Sequence, residues 1–208
     1  MSTFPGPPQR VNLQVLADHV YQELLASLMD GRLQAGAGIS IEGMSRELDV
    51  SPTPIREESA RLESTGLVRR AALRGYRVAA LFTTEELAEL MDARLVVEPG
   101  NAERACERAT PEVYAQLEQC IVDLKTAPRG GFFSEFRSYW EADERFHRLI
   151  SVGGHDQFLL AAYKALGRQV QRYRLFGGLG VTDAEHAIAE HSAVLDAFRA
   201  RDPQRPGR

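Results

Sequence analysis

Two prolines within three residues, in Ser51-Pro52-Thr53-Pro54-Ile55-Arg56-Glu57-Glu58, stand directly before a run of good helical character. Proline is kept out of helix interiors because it lacks an N–H and its ring meets the preceding turn, but the first four N–H groups of a helix have no partner within it. The helix start is therefore fixed: Ser51 is the N-cap, Pro52 takes the first position and Pro54 the third. The Ser51 hydroxyl is expected to cap the Thr53 N–H, since Pro54 has none to give. Downstream, Ile55, Ser59 and Leu62 share a face that packs, while Thr53, Arg56 and Ala60 share one that looks outward. Such a helix end is rigid, bears short side chains and can approach a surface closely.

The flanking segments complete a pattern. Leu13, Leu16, Val20, Leu24 and Leu28 recur at helical spacing and Gly31 supplies a left-handed stop, so a first helix runs to about Asp30. Ser40 offers the cap of a second, short helix through Met44 and Leu48. After Gly66, Leu67 to Arg70 and Tyr76 to Val78 have β character and flank a loop ending in Arg74-Gly75, which predicts a two-stranded hairpin with a basic tip. Three helices and a hairpin in this order are those of a winged helix-turn-helix.

Beyond residue 80 strand signals almost vanish. Thr83 with Glu86 and Thr182 with Glu185 read as capping boxes, and Thr110-Pro111 repeats the cap-then-proline pattern, so helices are predicted to begin near 84, 111 and 183. Two more are expected near 134–151 and 157–175, the first of the 81–208 helices ending at about 98. The fold class is mainly α, with an N-terminal winged helix-turn-helix at 12–80 and a helical bundle at 81–208. The Pro-rich opening, residues 1–11, is expected to be a disordered tail.

Charge follows the same division. The formal net charge is −4, which alone speaks against a nucleic-acid binder, but residues 1–80 are balanced and the acidic excess lies after them. Six arginines from Arg56 to Arg77 face only Glu57, Glu58 and Glu63, a local positive patch. Helix N-termini favour phosphate, and arginine suits phosphate or a guanine edge, which singles out Arg56. Cys106 and Cys120 have no CxxC spacing, and no window approaches the roughly 18 apolar residues of a membrane span. A reduced, cytoplasmic protein is expected, with no membrane partner.

The predicted helix 134–151 carries an anomaly. Phe136, Trp140, Asp143, His147 and Ile150 form one stripe, so an acid and an imidazole one turn apart lie in an apolar face. In the last helix His191 occupies an inward position beside Ile188 and Leu195. Buried unpaired, such groups would cost several kcal/mol, and their partner is each other, water or a cation. Two histidines and a carboxylate with open positions also suit metal-dependent oxygen chemistry, which keeps a metalloenzyme as an alternative.

The run from Leu28 to Ala79 resembles the DNA-binding domain of GntR-type bacterial transcription regulators, through "VSPTPIRE", "RLESTGLV" and "RGYRVA". The helical remainder is similar to the FCD effector domain of the FadR-like branch, in "EELAELMDARLVVEP", "EADERFHRLI" and "AEHSAVLDAFRARD". The resemblance implies a ligand-responsive regulator, a repressor rather than an enzyme, acting as a homodimer on a palindromic double-stranded operator. It assigns DNA contacts to Ser51, Thr53, Arg56, Arg74 and Gly75, with Pro52 standing where the family commonly has arginine. It places a divalent metal such as zinc, nickel or manganese on Asp143, His147 and His191, and a small organic acid in the same domain. Arg94, one turn before Glu98 and near the inner face of the helix from 84 to 98, is the expected anion partner of that acid. The family's last histidine has no counterpart before Arg208, so the helical domain is expected to be shortened and its metal site open-faced, or else degenerate in a regulator that no longer senses.

Overall fold

A computed structural model describes residues 13–174 and 181–200 of the chain. The expected tail at 1–11 and residues 201–208 lie outside that range. Eight helices and one small sheet make up the described residues.

Helix α1 (Leu13–Met29) ends as anticipated at Gly31, whose φ of +70° is costly for any residue with a Cβ. Then come β1 (Gly38–Ile39), α2 (Ile41–Glu47), α3 (Pro52–Ser64), β2 (Val68–Ala71) and β3 (Gly75–Val78). The hairpin pairs Arg69 with Arg77 and Arg70 with Tyr76, and β1 adds a third antiparallel strand on the other side of β3, pairing Gly38 with Arg77. This strand was not expected, since two residues are too few for an alternating pattern to show. Val20, Leu24, Leu28, Ile55, Leu62 and Val78 form the core beneath.

The helical part comprises α4 (Thr84–Arg108), α5 (Pro111–Thr126), α6 (Phe133–Gly153), α7 (Gln157–Arg174) and α8 (Ala184–Arg199). α6 packs on α4 and α5, α7 lies against α4, and α8 against α5. Cys106 and Cys120 are buried free thiols in this core.

Three expectations about helix ends are corrected. α4 does not stop near 98 but continues through Pro99 to Arg108. The hydrogen bond Pro99 cannot make would have gone to Leu95, on a solvent-facing side of the helix, while Asn101, Ala102, Ala105 and Cys106 beyond it are buried and hold the chain helical. α8 has Asp183 rather than Thr182 at its N-cap, without a side-chain cap bond, and the Glu185 carboxylate accepts from Arg129 at 2.6 Å. At α3, Ser51 sits at the N-cap with no side-chain cap bond. Two proline rings already preset the backbone there and leave few N–H groups to cap.

The box at Thr83 is present: its hydroxyl accepts from the Glu86 N–H at 3.1 Å and Glu86 Oε2 accepts from the Thr83 N–H at 2.9 Å. Thr83→Ala is expected to lower stability by about 0.5–2 kcal/mol, read as a shift in urea midpoint at constant slope.

The two parts of the chain meet along α6. Phe133 and Phe136 are buried in the core of the winged part, not in the helical bundle. The N–H of Phe133, in the first turn of α6, donates to Asp30 Oδ1 at 2.6 Å, so a carboxylate at the end of α1 caps a helix 103 residues away.

Candidate nucleic-acid interface and metal centre

On α3, Ile55, Ser59 and Leu62 have no exposed surface, and the Ser59 hydroxyl donates to the Ile55 carbonyl at 2.7 Å. Ser51, Thr53, Arg56 and Ala60 are exposed. The outward face read from the sequence is therefore the face presented to solvent. Two residues beyond Arg56, Glu58 is only 6% exposed, which the sequence reading missed. Arg61 holds it at 3.3 Å, bonds Asp18 of α1 at 3.2 Å and lies 4.1 Å over the Tyr21 ring.

The six arginines thus divide by role. Arg61 fastens α3 to α1, and Arg77 donates twice to the Gly36 carbonyl, at 3.1 and 2.7 Å. Arg56, Arg69, Arg70 and Arg74 are exposed, and neither Arg56 nor Arg74 pairs with a carboxylate among the described residues. At the wing tip Leu73 and Gly75 both have positive φ, +60° and +71°, and a Cβ on Gly75 would meet nothing. Glycine is there for backbone conformation and not for space. Glu63 accepts from the Arg70 N–H at 3.0 Å, fixing the wing to the end of α3. A rigid helix end and a basic tip displayed together can meet a phosphate backbone and the base edges beside it.

In the helical part, α6 and α8 bring Asp143, His147 and His191 together, with one donor atom from each lying within 4.8 Å of the others. His191 Nε2 is 3.2 Å and His147 Nε2 3.8 Å from Asp143 Oδ1. The tautomer of His191 follows from its other nitrogen. Nδ1 lies 2.6 Å from the Ala187 carbonyl, which can only accept, so Nδ1 carries the hydrogen. In the neutral ring Nε2 is then a lone pair, buried, without a hydrogen bond and aimed at a carboxylate. Two lone-pair donors facing one another are stable only with a cation or a second proton between them. The Phe146 ring, 4.4 Å from that of His191, holds the imidazole in place. One carboxylate and two imidazoles are a fitting set for a divalent ion of the zinc, nickel or manganese kind.

These ligands line a cavity of about 1200 Å³ between α4, α6, α7 and α8. A smaller hollow, about 340 Å³, lies near Gly66, Arg69 and Gln169, away from the ligands. Arg94 does reach the large cavity, but its guanidinium is engaged by Glu98, Nε to Oε1 at 2.6 Å and Nη2 to Oε2 at 3.2 Å. Tyr163 on α7 was not singled out from the sequence; a hydroxyl-bearing ring in the apolar run Leu159, Tyr163, Leu166 was the available signal. The other histidines stay apart: His186 pairs with Glu190 at 3.1 Å, and His155 is exposed.

Burial holds the His147 pKa below the usual imidazole value, with Asp143 working in the opposite direction. The unfolded chain therefore takes up this proton first as pH falls through about 6.5. The stability that depends on neutral His147 is present above that pH and is lost below it. Metal-free protein is expected to show a smaller urea midpoint at pH 5.5 than at pH 7.5, and His147→Gln to reduce the difference.

The fold and this site together describe a winged DNA-binding domain joined to a helical sensor. The described residues contain no helix long and apolar enough to cross a membrane. Residues 16–78 match the model of the bacterial regulatory proteins of the gntR family, and residues 89–207 match the FCD domain. The chain belongs to the GntR family of regulators with an FCD domain, and it is a ligand-responsive, DNA-binding transcription regulator. Among proteins it is similar to, the probable D-xylose utilization operon transcriptional repressor of Paenarthrobacter nicotinovorans is 26% identical over 196 residues, covering 94% of this chain and 84% of that one. The HTH-type transcriptional repressor RspR of Escherichia coli is 25% identical over 200 residues, covering 95% and 82%. The solved structure of E. coli McbR/YncC shares the fold, with a TM-score of 0.68 at 22% identity over 92% of this chain and 89% of that one.

Proposed function

We propose that the N-terminal end of α3 enters the major groove of an operator, with Ser51, Thr53 and Arg56 at phosphate and base edges. Arg74 and Gly75 of the wing lie toward the adjacent minor groove. Two copies of the chain bind as a homodimer on a palindromic site, each helix reading one half. The observation that carries this reading is the outward display of Thr53 and Arg56 on a proline-started helix whose opposite face, Ile55, Ser59 and Leu62, is fully buried.

In the sensor, Asp143, His147 and His191 hold a divalent cation, supported by the orphaned Nε2 of His191. The ion supplies a Lewis-acidic anchor for the carboxylate of a small organic acid. Arg94 orders that end of the cavity through Glu98 and is not a free anion partner. Occupancy changes how α6 seats against α1 and so the spacing of the two reading helices. Repression, the role in the names of two similar proteins, follows where the unliganded dimer covers a promoter.

Arg56→Ala is expected to weaken operator binding by about 1–3 kcal/mol and to relax specificity at one base pair per half-site. Fluorescence anisotropy at fixed salt measures this. Unchanged affinity and specificity would take Arg56 out of the interface.

A further inference from the structure

The cavity that would receive the effector is acidic, and this constrains the effector's chemistry. Its charged lining among the described residues consists of Arg94 against Glu98, Asp143, Glu144, Glu190 and Asp196. The single guanidinium is held at two points by Glu98. Burial disfavours its charge, but Glu98 more than compensates and raises the Arg94 pKa above its ordinary value. Glu190 and Asp196 stand at the mouth, their side chains 60% and 75% exposed and paired with His186 at 3.1 Å and Arg199 at 3.8 Å, while Asp143 and Glu144 lie deeper on α6. The aromatic wall lies within the same negative field: the Tyr163 hydroxyl is made harder to ionise first by burial and then by Glu144, Glu98 and Asp143.

A divalent ion on Asp143, His147 and His191 offsets two of these charges locally and can take one carboxylate. A second anionic group on the ligand would then face carboxylates with no uncommitted cation in the described lining. An ammonium group meets carboxylates and the rings of Phe146 and Tyr163, the surroundings that stabilise organic cations. The buried Nε2 of His191 faces Asp143 Oδ1 at 3.2 Å while its Nδ1 is committed to the Ala187 carbonyl, an arrangement of donors that suits a cation at this end of the cavity.

We infer that the effector is a small aminocarboxylate, bound through its carboxylate at the Asp143–His147–His191 centre and through its ammonium group by the acidic wall. The inference rests on the cavity being the effector site proposed above.

The test uses two probes with the same five-carbon chain, glutarate and 5-aminopentanoate, titrated calorimetrically into zinc-loaded full-length protein. The aminocarboxylate is expected to bind at least about ten-fold more tightly, a difference of roughly 1.4 kcal/mol. Equal affinity, or tighter binding of glutarate, overturns the inference while leaving a carboxylate-binding cavity intact. Binding of neither overturns both. Glu98→Gln releases Arg94 and is expected to shift the preference toward glutarate. An unchanged preference in a variant that still binds zinc shows that the Arg94–Glu98 pair does not set the cavity's selectivity and overturns the argument built on it.

Discussion

Phe133→Ala is expected to lower the free energy of unfolding by about 3–5 kcal/mol, the range for removing a fully buried aromatic ring from a packed core. The ring is 2% exposed and lies edge-on to Phe136 at 5.4 Å and to Trp140 at 5.8 Å, within the core cluster of the winged part. Its own N–H is bound to Asp30. The truncation therefore removes packing between the two parts of the chain as well as within one. Urea unfolding followed by far-UV circular dichroism measures the loss. A midpoint within error of wild type would mean that α6 is not anchored in the winged core. Ten residues separate Phe133 from Asp143 on one uninterrupted helix, about 15 Å of rise. In the proposed coupling, that continuity carries a change at the ligands to the end of α6 seated against α1.

His191→Ala is expected to lower metal affinity by at least about 100-fold, more than the 10- to 100-fold typical of outer-shell partners, because a ligand itself is lost. His191 is the contribution of α8, and its oriented Nδ1–H leaves Nε2 as the donor. His191→Gln keeps a polar, hydrogen-bonding group of similar bulk and separates metal loss from collapse of the core. Zinc competition against a chromophoric chelator gives the affinity. Wild-type metal content in both variants would show that Asp143 and His191 form only a buried ion pair.

Much of this was legible in the sequence, for local reasons. The start of α3 follows from two missing N–H groups, its two faces from a 3.6-residue period, and the wing from β character on either side of Arg74-Gly75. Asp143, His147 and His191 stood out because each interrupts an apolar stripe. What escaped depends on contacts distant in the chain. The continuation of α4 past Pro99 is set by burial of Asn101 and Ala105 against other helices, which overrides a local breaker. Glu58 is tolerated in the interior because Arg61 reaches both it and Asp18, 43 residues earlier. Arg94 and Glu98 were visible as neighbours one turn apart. Whether the guanidinium would face a ligand or its own neighbour is decided by the cavity walls that α6 and α7 supply.

Whether the exposed end of α3 reads DNA is decided by selecting bound duplexes from a random pool, in parallel for wild type and Arg56→Ala. Wild type should enrich one two-fold symmetric sequence, and the variant should lose preference at one matching position in each half. Failure of the wild-type chain to enrich any sequence at low ionic strength, or identical sequences from both proteins, would contradict that role for α3.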